Sequence, residues 1–156
     1  MVEDHGFTAE LSGPTAALAR PVVEETSAEC RAELGDRRCR VTMRGRRRVV
    51  RVTACDDVTV TLDAGEPSDD AYGQGVLRWL SGANCGLESA VAASAGDTVT
   101  LRAPPAFAVT AGTLVRIEEG CDKTLATCAA RFGNAANFRG EPYLPGVDLL
   151  TRYPGS

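Results

Sequence analysis

Val58-Thr-Val-Thr-Leu62, followed by Asp63-Ala-Gly65-Glu-Pro67, is the stretch that decides the fold. Its apolar residues recur at every second position, the period of a strand with one face buried, and it stops at a cluster of turn-forming residues. The pattern repeats downstream. Gly75-Val-Leu-Arg-Trp-Leu80 closes at Ser81-Gly82, and Leu87 to Ala95 and Thr98 to Leu101 flank Gly96-Asp97, a hairpin signal in reversed order. Pro104-Pro105 marks a loop, and Thr113-Leu-Val-Arg-Ile117 reads as a further strand. Upstream, Val41 to Ala54 reads as strands around Arg44-Gly45. Phe7-Thr-Ala-Glu-Leu11 reads as an N-terminal strand before Gly13-Pro14, and Thr15 to Arg20 as a short turn or helix broken at Pro21. Regularly recurring turns predict a mainly β protein, a small antiparallel β-sandwich or barrel. Lys123 to Ala130 adds a short helix, and the irregular stretch after Gly133 is expected to be ordered, tied down by Phe132, Phe138, Tyr143 and Leu144.

The segments follow: 1–29, an N-terminal strand and linker; 30–57, a first cysteine pair and an Arg-rich hairpin; 58–117, the β domain; 118–156, a second cysteine pair and a C-terminal loop segment. Residues 30–156 are expected to fold as one cooperative domain.

The chain has 156 residues, 44% hydrophobic and 24% charged, which suffices to bury a core. A net charge of −4 opposes a whole-protein grip on nucleic acid or anionic lipid, so no sequence-specific nucleic acid is expected as a partner. The longest uncharged stretch, Ala103 to Val115, is short and holds two prolines, so no membrane anchor is expected. Met1-Val-Glu-Asp-His-Gly lacks the apolar core of a secretory signal. Every basic residue but Lys123 is Arg, and eight Arg lie between Arg37 and Arg51. We read that run as a solvated strand face, with an anionic partner as the alternative.

Six cysteines form the main chemical signal: Cys30, Cys39, Cys55, Cys85, Cys121 and Cys128. Without an export signal a disulfide framework is disfavoured, although an even count permits one. Four of them make two pairs, Cys30-x8-Cys39 and Cys121-x6-Cys128. Four thiolates suit zinc or an iron–sulfur cluster. Neither spacing is the tight knuckle of structural zinc, and a four-iron cluster, with one thiolate per iron, accommodates wider ones. Cys55 and Cys85 read as buried small hydrophobes, with a disulfide between them, or ligation by Cys85, as the alternative. Catalysis has little support. His5 is the only histidine, and Asp56, Asp57, Asp69 and Asp70 stand at turn signals where Asp serves the turn itself.

The C-terminal run Gly120-Cys121-x6-Cys128-x2-Arg131-Phe132-x-Asn134-x2-Asn137-Phe138-x-Gly140-x-Pro142-x-Leu144-Pro145-Gly146 resembles the phage tail-tip hub family. It is similar to the C-terminal half of gene transfer agent hub proteins and related siphophage tail proteins, and more distantly to the C-terminal domain of the lambda tail-tip protein L. Phe7 to Gly13 and the Cys30-x8-Cys39 pair agree with the resemblance. It implies a structural, non-enzymatic component of the virion tail tip, assembled in the bacterial cytoplasm. The implied partners are a distal tail ring protein and a central spike or fibre protein, within a homotrimeric ring. It also implies a [4Fe–4S] cluster held by Cys30, Cys39, Cys121 and Cys128, with structural zinc as the alternative cofactor. Typical members are nearly twice as long, so an N-terminal half is expected to be missing here. A cytoplasmic iron–sulfur or zinc enzyme or redox protein is the competing expectation. Gly140 to Gly146 is the candidate contact loop.

Overall fold

The computed structural model describes residues 26–143. The expected strand at Phe7 to Leu11, the turn at Thr15 to Arg20 and the Leu144 anchor lie outside the described residues. Six strands form: β1 (Arg47–Asp56), β2 (Thr59–Leu62), β3 (Val76–Trp79), β4 (Glu88–Ala95), β5 (Thr98–Leu101) and β6 (Leu114–Glu118). They close into an antiparallel barrel in the order β1-β2-β5-β4-β3-β6. The fold is therefore the barrel of the two expected alternatives.

Alternation explains the closure. Val60 and Leu62, Leu77 and Trp79, Val99 and Leu101, and Val115 and Ile117 point inward from four short strands and are all nearly fully buried. Val50, Val52, Val91 and Tyr72 complete the core. The Trp79 indole N–H, buried with the ring, donates to Ser89 Oγ at 3.0 Å and leaves no unpaired donor inside. The pairing register shifts between Val52 and Ala54 in β1 and between Val91 and Ala93 in β4. Such bulges bend long strands, which lets these two curve around a narrow barrel.

The Arg-rich segment contributes differently from expectation. Arg44-Gly45 does form a turn, with the Arg46 N–H donating to Met43 O at 3.1 Å, but Val41 to Met43 is not a strand. β2 pairs with β1 only from Val52 on, so Arg47 to Val50 are flanked by β6 alone, and residues 41–43 leave the turn without joining them. Cys55 is half-buried beside the core, whereas Cys85 is exposed, which corrects the expectation of two buried thiols.

The barrel is entered at Arg47 and left at Glu118, and these two residues are direct register partners. Beyond Glu118 the chain crosses the β3 approach at very close range. A side chain on Gly120 would collide with the Gly73 carbonyl, the Gly75 nitrogen and the Gln74 backbone, and one on Gly75 with the Glu118 carbonyl. All of these obstacles are backbone, so none can move aside. Gly120→Ala is therefore expected to cost about 3 kcal/mol, lowering Tm by on the order of 10 °C, read by thermal denaturation.

Candidate functional site

Two chain segments meet at the pole where the barrel is entered and left. The first is residues 27–41. Asp36 organises it, accepting from the backbone N–H groups of Cys39 (2.6 Å), Arg38 (2.8 Å) and Glu33 (3.1 Å). The Cys39 N–H foremost, with those of Glu33 and Arg38, holds the Asp36 carboxyl below the ordinary range, against an opposing effect of burial. This Asp turn closes the loop that separates Cys30 from Cys39.

The second segment, residues 119–143, holds the helix α1 (Leu125–Ala130) and a 3-10 turn at Ala135–Asn137. Thr124 caps α1, its side chain accepting from the Thr127 N–H. So short a helix depends on that cap and on packing, and Cys128 is its buried residue. Lys123 sits at φ 64, a left-handed conformation that is costly for a non-glycine residue. Its partners offset the cost. Lys123 Nζ donates to Ala32 O at 2.6 Å and pairs with Glu33 at 3.0 Å, while its N–H donates to Cys121 Sγ at 3.4 Å.

Backbone bonds knit the two segments. The Cys30 N–H donates to Lys123 O (2.9 Å), the Arg31 N–H to Arg139 O (3.1 Å) and the Glu141 N–H to Ser27 O (2.7 Å). Arg31 grips Glu141 with both terminal nitrogens at 2.6 Å. Gly140 is required there, because a Cβ would press on the Glu29 carbonyl and the Phe138 ring.

The four expected cysteines are brought to this pole from both segments. All are free thiols; Cys39 and Cys128 are buried, Cys30 and Cys121 half-buried. Burial pushes the Cys128 thiol up, and the nearby Cys121, Cys30 and Cys39 push it further. Burial also raises Cys121, partly countered by the Lys123 N–H. Three of the sulfurs accept N–H donors: Cys121 from Lys123, Cys30 from Arg139 (3.4 Å), and Cys39 from Asn134 Nδ2 (3.7 Å). Cys55 and Cys85 belong to the barrel and take no part. Among the described residues no group of three or more His, Cys, Asp or Glu is placed to hold a metal ion.

Two residues that sequence reasoning missed build this pole. Glu119 is 9% exposed, and its Oε2 accepts from Arg46 at 2.6 Å and Arg131 at 2.8 Å. Both guanidiniums also lie over the Phe132 ring, 4.8 and 5.0 Å from its centroid. Arg46 thus belongs to a buried network rather than to a solvated face. The signal was available, because Val115, Ile117 and Glu119 share one strand phase. Asn134 joins the cysteine pairs. Its N–H donates to Cys128 O at 2.9 Å and its Nδ2 to Cys39 O at 2.6 Å, while Asn137 donates to its Oδ1 at 2.7 Å and so fixes the amide's orientation. Phe132 and Phe138 are half-buried as expected of anchors, but Tyr143 is 85% exposed and anchors nothing.

Asn134→Leu should leave Cys39 O unpaired, costing about 1–2 kcal/mol, and should raise iodoacetamide labelling of Cys39 severalfold, read by peptide mass spectrometry. The Arg31 contact first, and then the Ser27 N–H, hold the Glu141 carboxyl down at about 2. A carboxylate lowered in the folded state stabilises fully above its unfolded value and loses that contribution as pH falls through its folded value. The Ser27–Glu141 closure should therefore be intact above about pH 4.5 and released as pH falls toward about 2. The Glu141 carboxyl shift, followed by NMR, checks this.

No helix among the described residues is long and apolar enough to cross a membrane. Residues 70–148, just over half of the chain, match the family described as phage conserved hypothetical protein BR0599. Residues 1–42 match the baseplate hub protein, N-terminal attachment domain. Comparison with curated proteins gives no significant match. Among solved structures, the chain is similar to one from the virion of a native gene transfer agent particle, at 35% identity and a TM-score of 0.76. That alignment covers 92% of this chain and 52% of the other, so the chain spans about half the length of its structural neighbour. Cys30 and Cys39 thus fall in the stretch matched to the attachment domain, Cys121 and Cys128 in the other, and together the matches identify the chain as a member of the phage tail hub family.

Proposed function

We propose that the chain is a structural, non-catalytic component of the tail tip of a phage or gene transfer agent, and that Cys30, Cys39, Cys121 and Cys128 hold a [4Fe–4S] cluster there. The observation that carries the reading is the meeting of two cysteine pairs from opposite ends of the chain, in a member of this family. The x8 and x6 spacings support a cluster over the zinc alternative, because structural zinc usually takes its thiolates from tight knuckles. A four-iron cluster takes one thiolate per iron, farther apart, and charged sulfurs in such sites are offset by N–H donors like those of Lys123, Arg139 and Asn134.

When bound, a cluster supplies metal–sulfur bonds that cross-link the two segments. The chain's own residues supply the rest: Asp36 shapes one ligand loop, Thr124 caps the helix bearing another, and Asn134 spans both pairs. A bound cluster would hold its thiols deprotonated, whereas burial favours the neutral form of Cys121 and Cys128, so loading and ordering of this pole would be coupled. In the tail, the partners we propose are a distal ring protein and a central spike or fibre protein, within a homotrimeric ring.

Anaerobic purification from an iron-replete cytoplasm tests the cluster. A brown protein with about four irons and four sulfides per chain is expected, and Cys121→Ser should remove the colour and lower Tm. One zinc per chain would move the site to structural zinc, and a metal-free, stably folded chain would remove the cofactor. Co-purification with tail proteins tests the placement.

A further inference from the structure

We infer that the outer face of β1, β6 and β3 is a docking surface for a protein partner with an acidic surface, with Val49 at its apolar centre. This does not depend on the cysteine site. The register fixes which side chains share the face. Arg47, Glu118 and Val76 lie in one row; Val49, Arg116, Arg78 and Glu88 lie in the next; Arg51 and Leu114 lie beyond.

Val49 is 61% exposed, with Arg47 and Arg51 before and after it on its strand and Arg116 directly across. Val76 and Leu80 are also exposed. A large apolar residue ringed by Arg is the composition of an interface centre rather than of solvated surface.

The charge on this face is unbalanced. Glu118 is shared, its two oxygens taken by Arg47 at 3.0 Å and Arg116 at 3.1 Å, and Glu88 serves Arg78 at 3.3 Å. Two carboxylates therefore answer four guanidiniums. Arg51 gives a hydrogen to Gly112 O, which satisfies a donor but neutralises no charge, and Asp63 beside its backbone leaves the face still positive. The chain as a whole carries −4, so this face is positive on a negative protein.

Three arguments identify the occupant. The side chains of this face point away from the barrel, so a partner covering it meets side chains rather than backbone. Guanidinium forks match carboxylates in geometry. Phosphates would match too, but a nucleic-acid backbone offers nothing apolar to Val49, Val76 and Leu80.

The probe is a short fluorescein-labelled peptide of repeating Glu-Glu-Leu, titrated with the full chain by anisotropy. Binding is expected, weakening with salt and falling about tenfold in Arg78→Ala/Arg116→Ala and in Val49→Ser. Thr59→Glu, on β2 and outside this face, should not weaken it beyond a small uniform effect. Thermal melts of each variant confirm folding, and Val49→Ser, being exposed, serves if the double variant unfolds. No binding by the peptide would overturn the proposal. So would tighter binding of a DNA duplex, or self-association abolished by the same variants, which would give the face to a second copy.

Discussion

The structure depends on one buried carboxylate. Glu119 lies at the seam between the barrel and the cysteine pole, where it accepts from Arg46, just before the first strand, and from Arg131, just after the helix. Arg131 also reaches Ala71 O, tying the helix end to the β3 approach. Taking three charged groups out of water is expensive, and such a network adds little net stability over an apolar cluster of the same shape. Its effect is directional. Removing one partner would strand the others at a cost of about 3–5 kcal/mol, so only one relative placement of barrel, helix and loop satisfies all three. Gly120 then allows the chain to pass so close to Gly75 that Cys121 emerges where Lys123 and Cys30 can meet.

Much of the barrel was legible in the sequence because its strands alternate cleanly. Val60 and Leu62, or Val99 and Leu101, can bury only one face, and turn residues bound each run. What alternation does not reveal is the partner. Val41-Thr-Met43 has strand-like residues yet joins no ladder, which residue type alone does not show. The bulges in β1 and β4 were equally invisible, since they arise from curvature rather than from residue type.

The candidate site was legible in its sulfurs and not in its supports. Four cysteines announce themselves by type and spacing. Glu119 follows a second Glu and looks solvated until the inward phase of Val115 and Ile117 is carried two residues further. Asn134 lies outside any periodic element, and its contacts join residues about 95 positions apart. Tyr143 shows the opposite error, because an aromatic near a terminus need not be an anchor. The distance in sequence also sets an entropic problem. Bringing Cys39 to Cys121 across a flexible loop of about 80 residues would carry the full closure cost. The barrel removes most of it, because its own pairing holds its two ends side by side.

That adjacency has an evolutionary consequence. Arg47 and Glu118 are neighbours across a ladder, so everything between them is an excursion that starts and finishes at one spot. A gene could lengthen or replace the loops between the strands at the far end of the excursion and leave the cysteine pole almost undisturbed, provided that Ala71 to Gly75, which touch it, are kept. Those loops can therefore vary on their own, while the pole, whose parts come from positions far apart in the sequence, must change together.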